Sequence, residues 1–211
     1  MEARHSAGVP GYLLVVGRIG NPAQMGEYSR ALPAVYARYG GAYVAIGGPG
    51  RGVDWLAGPH RDRSLVLARF GSPEAVREFW WSPEYRSAAK LREGAGTFNV
   101  VGIPGRAGSA PPVGGACLIV AMLVQDGAAC DAWRAAYATE LAAHGGEPLA
   151  SATAADWLAL EGDPAWDRVE IAHLPSAAAA ESLVSNPRTR ELQERAGLAF
   201  VARAAVVAPA R

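Results

Sequence analysis

The 211-residue sequence is short of the features that mark specialised proteins. It has two cysteines, Cys117 and Cys130, which make neither a disulfide framework nor a metal-ligand spacing. Both are expected as free thiols in a reducing cytoplasm, Cys117 inside an apolar run and Cys130 near a helix start. Charge of one sign is lacking: 20 Lys and Arg balance 20 Asp and Glu, for a formal net charge of zero. The arginines, Arg61, Arg63, Arg77 and Arg86 among them, are interleaved with acids. Nucleic acid and anionic membrane surfaces call for a basic excess or stripe, so neither is an expected partner. The longest apolar run, Ala116 to Val124, is too short to span a bilayer. Residues 1–10 carry no charged start followed by a long apolar stretch, so a soluble, cytoplasmic protein is expected. Catalytic signatures are also missing: no phosphate loop, no dinucleotide-type glycine fingerprint after a strand, no H-E-x-x-H. The glycine-rich stretch Gly47 to Gly52 joins two strands and reads as a hairpin loop.

What the sequence does contain is an internal repeat, and a repeat sets the architecture before any motif does. Gly40-Gly41 recurs as Gly145-Gly146 at an offset of 105, which also places Leu13 on Leu118, Tyr28 on Trp133 and Tyr39 on His144. Asp54-Trp55-Leu56-Ala57 recurs as Asp156-Trp157-Leu158-Ala159, and Ser82-Pro83 matches Asn186-Pro187. The offset drifts between Gly47 and Arg63, where a loop is expected. The stretch 106–115 (RAGSAPPVGG) reads as a linker, because its glycines and proline pair suit neither helix nor central strand. The two copies are then residues 11–105 and 116–209.

Each copy reads alike. In the first, Tyr12 to Arg18 is a valine-rich strand. Asn21-Pro22 opens a helix by an N-cap and a first-turn proline. Gly40-Gly41 closes it, since glycine accepts the left-handed C-cap conformation. Pro33 lies inside this helix and predicts a kink or local loosening. Ala42 to Ile46 and Ser64 to Phe70 are strands, Ser72-Pro73 and Ser82-Pro83 open two further helices, and Phe98 to Ile103 is the last strand. The order β-α-β-β-α-β is the ferredoxin-like split unit, with both helical layers on one face of a four-stranded antiparallel sheet. The opposite face carries Leu, Val and Ile and must be covered. The expected fold is therefore α+β: two ferredoxin-like repeats packed sheet to sheet as an intramolecular pseudo-dimeric α/β barrel, either monomeric or a homodimer of that unit. The linker makes the contact intramolecular and raises its effective concentration.

Copy one, with Tyr28, Tyr39-Gly40-Gly41-x-Tyr43, Gly47-Gly48, Phe70-x-Ser72-Pro73-Glu74-Ala75, Phe79-Trp80 and Ser82-Pro83-Glu84-Tyr85, resembles the uncharacterised-domain family 1330 of the dimeric α/β-barrel superfamily. Copy two keeps the Gly pair and Asn186-Pro187 but has Arg188-Thr189 in place of Glu84-Tyr85. The resemblance implies the barrel fold. Relatives in the superfamily include cofactor-free monooxygenases, polyketide cyclases, lactone isomerases and haem enzymes, and fold alone does not choose among them.

Divergence between the copies offers one asymmetric pocket for a small-molecule ligand. His173, in a strand and on the face of Val169 and Ile171, points into the barrel and is the candidate acid/base. Its counterpart Arg69 would hold an anionic oxygen; plain structural pairing is the alternative for both. His60 is either a solvated loop histidine or a ligand contact, and His144 suits either a helix C-terminus or the pocket. Asp54-Trp55 and Asp156-Trp157 are either hairpin turns with an anchoring tryptophan or paired contacts at the rim. Tyr28, Tyr43, Trp80 and Tyr85 are pocket or core. No metal cluster and no cofactor is expected. These readings converge on a cofactor-independent cyclase, isomerase or monooxygenase of secondary metabolism, acting on a hydrophobic, possibly polyketide-like metabolite; the alternative is a non-catalytic binding or stress-associated module.

Overall fold

The computed structural model describes residues 8–207. The first half runs β1 (Gly11–Ile19), α1 (Pro22–Arg38), β2 (Ala42–Pro49), β3 (Gly52–Ala57), β4 (Ser64–Phe70), α2 (Pro73–Trp81), α3 (Pro83–Lys90) and β5 (Gly96–Pro104). The second half repeats the order as β6 (Ala116–Met122), α4 (Gly127–Ala143), β7 (Glu147–Thr153), β8 (Leu158–Glu161), β9 (Arg168–Leu174), α5 (Ala177–Val184), α6 (Pro187–Ala196) and β10 (Leu198–Ala205). The helices begin for local reasons shared by the two halves. Asn21 and Asp126 accept from the backbone N–H three residues on, at 3.2 and 2.9 Å, and Ser72 and Ser176 do the same at 3.2 and 3.1 Å. Ser82 and Asn186 cap α3 and α6 in the same manner. Pro33 does not interrupt α1, which continues through it to Arg38. None of the helices among the described residues is long and apolar enough to cross a membrane.

Within each half, four strands pair in the ferredoxin-like order: β2-β4-β1-β5 in the first and β7-β9-β6-β10 in the second, antiparallel throughout. Strand alternation then divides the side chains between two layers. On β9, Val169 and Ile171 join the core between the sheets, while Ala172 and Leu174 join the core under α4, α5 and α6. On β1, Tyr12, Leu14 and Val16 face the other sheet, and Leu13 faces the helices. The uncovered faces of the two sheets thus bury each other. At roughly 1.5–3 kcal/mol per fully buried large apolar side chain, this layer is a main source of stability.

The loop expected between Gly47 and Arg63 contains a strand instead. β3, which carries Asp54-Trp55-Leu56-Ala57, keeps a short parallel pairing with β2 of its own half and pairs antiparallel with β10 of the other. Its counterpart β8 pairs antiparallel with β5. Each half lends one strand to the free edge of the other, and the result is a single curled ten-stranded sheet, β7-β9-β6-β10-β3-β2-β4-β1-β5-β8. The physical reason is edge satisfaction. The last strand of a ferredoxin-like sheet exposes unpaired N–H and C=O groups, and a borrowed strand covers them. Asp54 reinforces one exchange through its register partner Arg203, whose Nη2 donates to Oδ2 at 2.6 Å.

Both borrowed strands end at a glycine pressed on the partner half. Gly58 has φ +87°, and a Cβ there would lie 2.3 Å from the Ala199 carbonyl oxygen; Gly162 has φ +75°, with the Phe98 oxygen at 2.3 Å. Gly94 has a similar φ of +76° but open space around it. A side chain at a left-handed position costs on the order of 1 kcal/mol, and a backbone clash adds to it. Gly162→Ala and Gly58→Ala are expected to lower the melting temperature by about 4–8 °C, against about 2–4 °C for Gly94→Ala. Equal losses in a thermal scan of the three variants would contradict the exchange geometry.

Candidate functional site

The barrel has two ends, and polar groups gather at both. At the linker end, Tyr12 on β1 and Arg69 on β4 are register partners, as are Cys117 and His173 in the second half. His173 does face the barrel, and its Nε2 lies 2.9 Å from the Gly114 carbonyl oxygen. Arg69 Nη2 donates to the Ser109 carbonyl at 3.1 Å. The two residues expected as acid/base and anion holder therefore both hold the linker, which crosses this end of the barrel. Cys117 is fully buried, and desolvation pushes its thiol up to about 12, so it is a packing group rather than a nucleophile.

At the opposite end the two halves build an aromatic cage. Trp55 and His60 come from the first half, Trp166 and Phe200 from the second. The His60 imidazole stacks on Trp55 with ring centroids 5.5 Å apart and lies 4.9 Å from the Phe200 ring, which in turn meets Trp166 edge-on at 5.3 Å. Trp55 Nε1 donates to the Arg63 carbonyl at 2.9 Å, and the Arg63 N–H to the His60 carbonyl at 2.9 Å, so this loop is fixed on the tryptophan. Three buried polar atoms here lack a hydrogen-bond partner: His60 Nδ1, Arg63 Nε and Trp166 Nε1. Groups of this kind are rare in interiors and call for a partner. Arg63 also lines an open pocket of about 360 Å³ with Phe98, Asn99 and Glu161. The cage is single: at the repeat offset of 104 defined by Gly58 and Gly162, His60 corresponds to Pro164.

The remaining expected contacts lie elsewhere. Tyr28, Tyr43, Trp80 and Tyr85 pack in the helix–sheet layer of the first half, away from the space between the sheets. There the Tyr28 and Tyr85 hydroxyls stand 3.2 Å apart, and Arg92 Nη2 donates to Tyr85 at 3.3 Å. Arg92 is 9% exposed, lies 4.6 Å from the Phe98 ring centroid, and forms a two-pronged ion pair with Glu161 of the borrowed β8. His144 ends α4, with Nδ1 2.8 Å from the Glu140 carbonyl and Nε2 3.0 Å from Ser182 Oγ, the helix-terminal arrangement. Asp156 accepts from the N–H and hydroxyl of Thr153 at 2.8 and 2.7 Å and closes a turn. Trp157, Asp156 and Leu158 line an open groove of about 470 Å³ against Pro73, Glu74 and Arg77. No group of three or more His, Cys, Asp or Glu side chains fit to hold a metal ion occurs among the described residues. His5 lies outside them.

Sequence reasoning missed Arg63, Trp166 and Phe200. Phe200 was accessible through strand alternation in β10, but Trp166 sits in an irregular polar stretch, where only the fold reveals its direction.

Residues 10–106 match the family described as Domain of unknown function (DUF1330). No curated protein matches the chain. Several solved structures share the fold at low identity. An anthrone oxidase-like protein aligns with a TM-score of 0.53 at 12% identity, covering 100% of this chain and 95% of its own. A putative chlorite dismutase aligns with a TM-score of 0.53 at 10% identity, covering 95% of both chains. A heme-binding protein from Thermus thermophilus aligns with a TM-score of 0.50 at 10% identity, covering 95% and 91%.

Two measurements check this geometry. Burial, aided by the Arg63 cation, holds the His60 imidazole below its ordinary value, so the folded chain binds this proton less readily than the unfolded chain. The stability that follows is complete above the ordinary histidine value of about 6.5 and is lost as pH falls from there through the lowered folded value. His60→Phe is expected to flatten the fall in melting temperature between about pH 7 and pH 5; an unchanged slope contradicts the burial of His60. Separately, Glu161→Ala strands the Arg92 guanidinium and is expected to cost about 1–3 kcal/mol by chemical denaturation. The double variant with Arg92→Ala removes both charges of the pair and should recover part of that loss.

Proposed function

Starting from a chain whose first half carries a DUF1330 domain and whose fold is that of the dimeric α/β barrels, we propose that it takes a planar, hydrophobic small molecule at the aromatic end of the barrel and moves a proton on it through His60. The carrying observation is the imidazole itself: half-buried, held in its neutral form, with Nδ1 unpartnered among Trp55, Trp166 and Phe200. A neutral imidazole in an apolar setting is a competent general base near neutral pH. The aromatic walls suit a flat apolar substrate. The Trp166 and Arg63 N–H groups are donors for the oxygen that gains charge when the substrate loses a carbon-bound proton. Return of that proton at another atom completes an isomerisation, and its removal is the first step that cyclase-type chemistry on such molecules shares. No step needs a group other than the side chains named. In this reading His173 and Arg69, which contact the linker at the other end of the barrel, take no part.

A second reading, binding without turnover, is favoured by the close packing of the cage rings on one another and on the core between the sheets. Anthrone separates the two, because its methylene protons are acidic and its keto and enol forms differ by one proton transfer; the choice follows the description of one fold neighbour. Methylene exchange in deuterium oxide, followed by NMR, should be accelerated by the protein and fall about 100-fold or more in His60→Ala, with anthrone still quenching tryptophan fluorescence. Binding with no accelerated exchange supports the second reading and overturns the first.

A further inference from the structure

The linker end of the barrel holds a second set of unpartnered groups that the proposed reaction does not use. Tyr12 is fully buried, and its hydroxyl has no hydrogen-bond partner. Its register partner Arg69 spends Nη2 on the Ser109 carbonyl, while Arg69 Nε is buried and unpartnered. Ser109 Oγ, on the linker above them, is buried and unpartnered as well. Among the described residues, no carboxylate pairs with Arg69, although Arg18 and Arg92 each have one and Arg203 has two. Burial raises the Tyr12 hydroxyl, and the neighbouring Arg69 guanidinium and then the Ser109 hydroxyl oppose that rise. Arg69 is half-exposed as a residue, but its Nε–H is closed off from solvent, and because a guanidinium cannot shed its charge that open valence draws an anion rather than a neutral acceptor.

We propose that Tyr12, Arg69 and Ser109 form a site for a small monoanion, a carboxylate group or a comparable inorganic anion, closed over by the linker. Arg69 supplies the charge and the Nε–H, and the two hydroxyls supply O–H donors, a set with three hydrogens to give and no competing acid. The site belongs to the first half alone. In the second half the matching positions are Cys117 and His173, which offer a buried thiol and an imidazole already committed to Gly114. It is also separate from the aromatic cage. Arg69 and the cage residue Arg63 lie six residues apart along one extended stretch, a span of roughly 20 Å. The anion would tie the linker to the first-half sheet, so its binding should register as stability.

The test uses the full-length chain and formate as the probe, with fluoride, which resists dehydration, as the control at equal ionic strength. Replacing fluoride by saturating formate is expected to raise the melting temperature by about 5 °C. Arg69→Met should abolish the rise and Tyr12→Phe, which removes one hydroxyl and keeps the ring, should weaken formate binding about tenfold. A rise of the same size with fluoride, or one that persists in both variants, overturns the proposal. No response to formate in the wild-type chain overturns it equally, whatever the outcome of the anthrone experiment.

Discussion

Everything in this structure depends on one constraint: a four-stranded sheet with helices on a single face cannot leave the other face in water. Two such sheets in one chain satisfy each other, and the residues that meet there, from Tyr12, Leu14 and Val16 to Ile119, Ile171 and Phe200, form one continuous core. A second constraint follows from the first. Once the faces are joined, the outer strands β5 and β10 remain as open edges, and each is covered by a strand from the other half. Face burial is apolar and undirected, whereas edge pairing is directional, so the second fixes the register that the first leaves loose.

Duplication supplied two equivalent halves, and the differences between them mark where one half has acquired polar chemistry. In the helix layer of the first half, Tyr28, Tyr85, Arg92 and the borrowed Glu161 make a hydrogen-bonded ionic cluster. The second half has Trp133 and Thr189 where the first has Tyr28 and Tyr85, with Ala57 on its borrowed strand, and its ionic contacts lie instead between Glu170 and the pair Arg134 and Arg168. The barrel interior diverges too: Tyr12 and Arg69 stand against Cys117 and His173, and His60 against Pro164. A symmetric pair of sites would need matched residues at both ends of the pseudo-twofold relation, and neither polar cluster has them. The polar side chains are therefore placed asymmetrically even though the frame is not.

Much of this frame was legible in the sequence because its signals are local. The caps at Asn21, Ser72 and Ser82, the paired glycines at 40–41 and 145–146, and the apolar strands each act within a few residues, and the repeat doubled every one of them. The exchanged strands were not legible, and the match of Asp54-Trp55-Leu56-Ala57 to Asp156-Trp157-Leu158-Ala159 is two residues out of register with the ladders, where Ala159 stands in the place of Trp55 and Glu161 in that of Ala57. Four residues that pair with a distant edge carry no mark distinguishing them from a hairpin turn, since the partner lies some 150 residues away in the case of Asp54 and Arg203. The surroundings of the candidate side chains were not legible for a related reason. The face of His173 followed from alternation, but the proximity of a linker carbonyl did not, and Tyr28, Trp80 and Tyr85 could be assigned to a layer only once both sides of the sheet were filled. His60 gained its standing from Trp55 and Phe200, residues on two different halves.

The account stands most directly on the claim that the two halves and their exchanged strands are one cooperative body. Native-state hydrogen exchange measured amide by amide reads this. The amides of β3 and β8 that pair with β10 and β5 should open only with the same free energy as the central strands β1 and β6, at the level of global unfolding. Early exchange of β3 and β8, or two distinct opening levels for the first and second halves, would contradict it.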